Sequence, residues 1–139
     1  LRASAAGGMA LHTSVAKQWR ELVGSPIVED YGLTETSPVI TFNPLDGSAK
    51  DGTIGIPAPS THAKCVDEDG NEVPVGEPGE LVATGPQVMA GYWNQPDETA
   101  ATIVDGWLYT GDVAEMDAEG FFTIVDRKKD VIVVSGFNV

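Results

Sequence analysis

Six consecutive residues, Tyr31-Gly32-Leu33-Thr34-Glu35-Thr36, hold the parts of a phosphate site in one short stretch. The Tyr31 ring offers a flat face to a base, and Gly32 lets the backbone come close to a ligand. Thr34 and Thr36 supply hydroxyl donors, and Glu35 is a hard oxygen ligand for a magnesium ion shared with phosphates. A polar turn capped by threonines would have the same composition, so the stretch alone leaves both readings open. Asp112 closes a Thr110-Gly111-Asp112 step. A carboxylate at a strand edge there would accept both hydroxyls of a ribose diol, while an aspartate in a tight turn would look the same. Asp126-Arg127-Lys128-Lys129-Asp130 carries three of the eight basic residues between two apolar runs. It is either a charged loop or a linker that brings Arg127 to a phosphate or a sugar.

These residues need a scaffold. Upstream, a small-residue run ends in Gly7-Gly8, which allows close backbone approach to a ligand or to neighbouring chain. Leu11, Val15, Trp19 and Leu22 recur at helical spacing, with Thr13 or Ser14 to cap the start, Gly24 at the end and Pro26 to block continuation. The apolar stripe is expected in the core, with His12 and His62 structural. Pro26-Ile27-Val28 opens a strand that leads to Tyr31, so strand, glycine turn, helix, strand and loop form an α/β unit. Ligands in open α/β sheets bind at carboxyl ends of strands, where Tyr31 falls. From Asp51 glycine- and proline-rich short strands take over, as in a small all-β unit. Strands are expected over Thr53–Ile56, Ala63–Val66, Gly79–Thr84, Val113–Met116 and Phe121–Val125, the last two joined by a turn at Asp117-Ala118-Glu119-Gly120. The acidic turn Asp67-Glu68-Asp69-Gly70-Asn71 has its glycine at the fourth position instead of the sixth, and Pro78 stands where a closing glutamate belongs, which argues against a calcium loop. The fold class is α/β followed by mainly β.

The net charge of −13 argues against nucleic acid or anionic lipid as partner. From Cys65 through Asp126 there are fourteen acidic residues, Asp126 included, and no Lys or Arg, so an anionic ligand needs positive charge from a metal or from elsewhere. Cys65 is the only cysteine, which excludes an internal disulfide and a multi-thiolate zinc site and suits a reducing, cytoplasmic setting. The chain starts at Leu1 and stops just after an apolar run, and it is expected to be a piece of something longer.

Taken together, the motifs resemble those of acyl-adenylate-forming enzymes. Tyr31 to Thr36, then Gly79-Glu80-Leu81, Gly91-Tyr92-Trp93, Gly106 to Asp112 and Asp126 to Ile132 fall in that family's order. Ile124 to Asp130 and Val134 to Val139 are most similar to bacterial long-chain fatty acid–CoA ligases. The resemblance implies the end of a large-domain α/β part over 1–50, a distorted β-barrel-like subdomain over 51–125, and a hinge with the first strand of a C-terminal domain over 126–139. It implies a carboxylic acid attacking the α-phosphate of ATP, then a coenzyme A thiol displacing AMP. Position by position, Tyr31 would stack on adenine beside Gly32, Gly7 and Gly8 would line the adenine and acyl pocket, and Asp30 would meet the adenine amino group. Thr34 would contact phosphate, Glu35 would hold magnesium, and Asp112 would bind the ribose hydroxyls with Arg127 assisting. Lys129 would be the hinge between half-reactions, and Gly136 would lie in the loop that rotation brings to the thiol channel.

The family's Ser/Thr/Gly-rich phosphate loop and its C-terminal catalytic lysine have no counterpart here, so the segment alone is expected to be inactive. Fatty acid, ATP and coenzyme A are the expected partners of the intact enzyme, with peripheral contact at the inner membrane as a further expectation. Two alternatives stay open: another acid–CoA ligase or amino-acid-adenylating domain, and a non-catalytic acidic β interaction module.

Overall fold

The computed structural model describes residues 4–9, 11–127, 133–134 and 137–138. The chain opens as the expected α/β unit. Strand β1 (Ser4–Ala6) pairs in parallel with β2 (Ile27–Gly32), and helix α1 (Thr13–Val23) crosses between them. Gly24 ends the helix in a left-handed conformation, its N–H bonded to the Arg20 carbonyl, as its freedom from a Cβ allows. The start differs from expectation. The cap position is His12, with no side-chain cap bond, and neither Thr13 nor Ser14 occupies it.

The stripe on α1 is not core either. Leu22 is 86 % and Val15 47 % exposed, and Trp19 is only half-buried. β2 meets α1 over only a small part of its length, too little to cover a stripe that spans the whole helix.

After β2, a single 3-10 turn at Thr34–Thr36 reverses the chain into β3 (Val39–Phe42), which returns antiparallel along β2 and pairs in turn with β4 (Ile56–Pro57). Pro38 immediately precedes this strand. β4 also starts later than the expected Thr53, because Ile54 and Gly55 instead bond to Phe122 of the second sheet.

That second sheet is antiparallel throughout and runs β5 (His62–Val66), β6 (Gly79–Thr84), β8 (Trp107–Met116), β7 (Ile103–Val104), with β9 (Phe122–Arg127) also paired to β8. β6 lies between two neighbours, so its run Leu81-Val82-Ala83 is at most 1 % exposed. Burying one such leucine contributes about 1.5–3 kcal/mol. Cys65, Leu81, Ala114 and Phe122 form a core against which Tyr31 of the first sheet and Ile54 of the connecting segment also pack. The two sheets thus share a core at the place where Tyr31 emerges.

A short helix, α2 (Pro96–Thr102), interrupts the β region. Its seven residues include none that is buried, so there was no apolar repeat to read. Pro96 suits a first helical position, and Asp97 and Glu98 favour the positive end of the helix dipole. β10 (Val133–Val134) and β11 (Phe137–Asn138) pair antiparallel. Among the described residues no helix is long and apolar enough to cross a membrane.

Candidate functional site

Tyr31 sits one residue before the end of β2, and Asp112 sits in the middle of β8. Their sheets meet so that the Tyr31 hydroxyl donates a 2.6 Å hydrogen bond to Asp112 Oδ2, across 81 residues of sequence. Asp112 is 4 % exposed. It is neither in a tight turn nor at a free strand end: Thr110-Gly111-Asp112 lies within the ten-residue β8. What makes it look like a turn is a bulge. Gly111 takes φ 74°, and the register of β8 shifts against both neighbours close by. The bulge is held from the side by Glu80, whose Oε1 accepts the Gly111 N–H at 3.0 Å, and Thr110 Oγ1 donates to the Leu81 carbonyl at 2.7 Å. Bulges re-aim side chains, and this one turns Asp112 towards β2.

A cavity of about 240 Å³ opens at this junction, lined by Gly8, Asp30, Tyr31, Gly32 and Asp112, with Ile54 and Ile124 among its apolar walls. Five residues selected from sequence therefore converge on one space. Gly7 does not line it, yet it shapes it: a Cβ there would stand 2.5 Å from Asp30 Oδ2, so a side chain at this position would displace that carboxylate. None of the described lining residues is a lysine or arginine. A flat ring, apolar walls and carboxylates without a cation suit a base and a sugar diol better than a phosphate chain.

Thr34 and Glu35 lie on the adjoining 3-10 turn, outside this cavity. Thr34 is exposed and Glu35 half-exposed. Thr36 is not a ligand donor. It is fully buried, and its one hydroxyl proton has the carbonyls of Pro38 at 2.8 Å and Leu33 at 3.0 Å within reach, while its oxygen accepts the Leu33 N–H. It therefore holds the turn that presents its neighbours. The Glu35 carbonyl accepts the Met89 N–H at 2.8 Å, and its carboxylate accepts the Tyr92 hydroxyl at 2.8 Å. Burial first, and then the Glu35 carboxylate, push the Tyr92 hydroxyl above its ordinary pKa. No cluster of three or more His, Cys, Asp or Glu side chains forms a metal cage among the described residues. One accessible carboxylate is nevertheless what a magnesium ion shared with phosphates needs, because such an ion keeps waters and phosphate oxygens as its other ligands.

Arg127 stands opposite Asp112 in the β8–β9 register. Lys129 and Gly136 lie outside the described residues. The bonds of Tyr92 and Glu80 into the site were not foreseen. Gly91-Tyr92-Trp93 and Gly79-Glu80-Leu81 were visible as motifs, but nothing local says which side chain reaches back across the fold.

The family model described as AMP-binding enzyme matches residues 1–93. A long-chain-fatty-acid–CoA ligase of Escherichia coli O6:H1 is 58 % identical over all of this chain, which covers 25 % of that protein. The ligase of the same description from Bacillus subtilis is 47 % identical with the same coverage. Among solved structures, ATP-bound MatB from Rhodopseudomonas palustris superposes with a TM-score of 0.85 at 36 % identity, over 97 % of this chain and 27 % of that one. The chain thus spans about a quarter of the length of the relatives it matches. With its fold, its motif order and the match over residues 1–93 in agreement, the chain belongs to the AMP-binding, acyl-adenylate-forming enzymes.

Proposed function

We propose that this chain is the part of an ATP-dependent fatty acid–CoA ligase that grips the adenosine end of ATP and the resulting acyl-adenylate. The observation that carries the reading is the junction of Tyr31 and Asp112, 2.6 Å apart at one cavity that is free of described cations. In it the Tyr31 ring takes the adenine face, Asp30 receives the adenine amino group, and Asp112 accepts the ribose hydroxyls beside Arg127. Gly7 and Gly8 leave that space for the base and the start of the acyl chain, while Gly32 lines it and is glycine because a Cβ there would collide with the Pro38 carbonyl. Thr34 donates to phosphate.

Glu35 is the magnesium ligand of this reading, and the ion, when bound, offsets charge on the phosphates during attack by the fatty acid carboxylate. The carboxylate oxygen bonds to the α-phosphorus and pyrophosphate leaves; the coenzyme A sulfur then bonds to the acyl carbon and AMP leaves. Lys129 is the hinge between these steps, and Gly136 belongs to the segment that approaches the thiol. Fatty acids are favoured as substrates by the names of the similar ligases from Escherichia coli and Bacillus subtilis.

The test uses the full-length protein, with palmitate-dependent exchange of pyrophosphate into ATP as the first assay and palmitoyl-CoA formation as the second. Asp112→Ala removes charged hydrogen bonds worth about 1.5–3 kcal/mol each, so exchange at limiting ATP should fall about ten- to a hundredfold. Exchange unchanged within about twofold would refute the ribose assignment. Exchange with aryl or amino acids and none with palmitate would keep the adenylating reading and replace the substrate.

A further inference from the structure

We infer that Tyr92 is a positioning residue for Glu35, fixing the carboxylate that takes magnesium. The inference rests on the reading of Glu35 given above. It starts from the 2.8 Å hydrogen bond from the Tyr92 hydroxyl to Glu35 Oε1, made across 57 residues. A single-carboxylate metal site has a difficulty that this bond resolves. Glu35 sits on a 3-10 turn of three residues and is half-exposed, so its side chain has several rotamers open to it. Magnesium demands near-ideal octahedral geometry and tolerates little wandering of its ligands. A donor on one carboxylate oxygen selects one rotamer and leaves the remaining lone pairs for the cation, as outer partners of metal-ligating carboxylates commonly do.

Tyr92 is itself held, which a fortuitous surface contact would not be. Its backbone N–H donates to Thr99 Oγ1 at 2.9 Å, and that hydroxyl donates onward to the Gln95 carbonyl at 2.8 Å. Gly91, with φ 148°, lies so close to α2 that a Cβ would stand 2.7 Å from Thr99 Cγ2. On the other side the Met89 N–H bonds to the Glu35 carbonyl at 2.8 Å. Segment 89–92 is therefore clamped to the Glu35 backbone at one end and to α2 at the other, with the phenol spanning to the carboxylate. A role in the metal site also explains why α2, which buries none of its residues, is folded here at all: its Thr99 fixes the residue that fixes Glu35.

The experiment reads metal binding apart from turnover. Manganese binding to the full-length protein with a non-hydrolysable ATP analogue is followed by electron paramagnetic resonance. In parallel, the magnesium concentration for half-maximal pyrophosphate exchange is measured. Tyr92→Phe keeps the ring and removes the donor; both constants should rise about tenfold. Thioester formation from preformed acyl-adenylate, which needs no triphosphate, should be retained. Thr99→Val should shift the same constants in the same direction by a smaller factor, and it carries the test if Tyr92→Phe folds poorly. Glu35→Gln is the control: it should abolish tight manganese binding. Constants unchanged within about twofold in Tyr92→Phe, while Glu35→Gln loses the ion, would overturn the positioning role alone. No effect in Glu35→Gln would overturn the magnesium reading on which it rests. Equal loss of both half-reactions in Tyr92→Phe, with metal constants unmoved, would make the bond a structural tie and likewise overturn the inference.

Discussion

Tyr31→Phe is the sharpest perturbation of the junction between the two sheets. The ring stays, so stacking on a base and packing against the core of Cys65, Leu81, Ala114 and Phe122 are kept. What goes is the donor 2.6 Å from Asp112 Oδ2. Asp112 is only 4 % exposed, so water is a poor substitute. A hydrogen bond to a charged group is worth about 1.5–3 kcal/mol. The lower end applies, because Asp112 has a further interaction besides the one with Tyr31. At about 1.4 kcal/mol per factor of ten, the dissociation constant for ATP should rise about tenfold, as the carboxylate is no longer held towards the sugar.

A single variant does not separate a positioned carboxylate from a softened pocket, so the measurement is a double-mutant cycle. Tyr31→Phe, Asp112→Ala and the double variant are titrated with magnesium–ATP by calorimetry in the full-length protein. If the hydroxyl acts through Asp112, Tyr31→Phe costs little once Asp112 is already alanine, and the coupling should be about 1–2 kcal/mol. Additive losses, with coupling below about 0.3 kcal/mol, would refute the argument. Tyr31 and Asp112 would then contact the nucleotide independently, and their hydrogen bond would be a feature of packing only.

Two further outcomes follow from groups away from this junction. Lys50 Nζ lies 2.6 Å from Asp117 Oδ2 and also pairs with Glu119; that lysine first, and then the Phe121 N–H, hold the Asp117 carboxyl below its ordinary pKa. A depressed folded-state pKa stabilises above the unfolded value and is lost as pH falls through the folded one. Lys50→Gln should therefore move the Asp117 carboxyl titration upward by NMR and make the fall in stability at acid pH shallower; an unmoved titration would refute the pairing. Burial first, then Glu72 and Glu115, push the Cys65 thiol up to about 11, so at pH 8 only about one thiol in a thousand is ionised. Alkylation should be slow in the folded protein and rise steeply in denaturant, and rapid labelling of the native state would refute the burial of Cys65.

The parts of the fold that were legible in sequence are those fixed by short-range chemistry. β6 runs from Gly79 to Thr84 as expected, because a continuous apolar run bounded by glycine and proline is a buried strand. The parallel β1–β2 pair follows from two strands with a helix between them. Errors arise where a local signal has two physical meanings. Thr110-Gly111-Asp112 has turn residues, but a glycine at φ 74° serves a bulge inside a strand equally well. The stripe on α1 has the period of a core helix, yet periodicity says which face is apolar and not whether anything covers it: Leu22 is 86 % exposed.

The site divides along the same line. Tyr31, Gly32, Thr34 and Glu35 are contiguous, so their chemistry could be read together; the bonds that orient them come from Asp112 and Tyr92, 81 and 57 residues away. That separation has an electrostatic consequence. Asp112, Asp30 and Glu29 all line the cavity, and no described cation does, within a chain of net charge −13. Such a surface gains from the hydroxyls and amino group of a nucleoside and repels a triphosphate over a Debye length of about 10 Å. Recognition of the sugar and base can therefore be built from this chain's own residues, whereas the phosphates need cations brought to them. Glu35 stands outside the cavity on its own turn, apart from the carboxylates that line it, so on the proposed reading a cation held there would be separate from the sugar site. On the proposed reading the two bonds to tyrosine hydroxyls serve that division: one holds the carboxylate that would accept from the sugar, and the other holds the carboxylate that would take the cation.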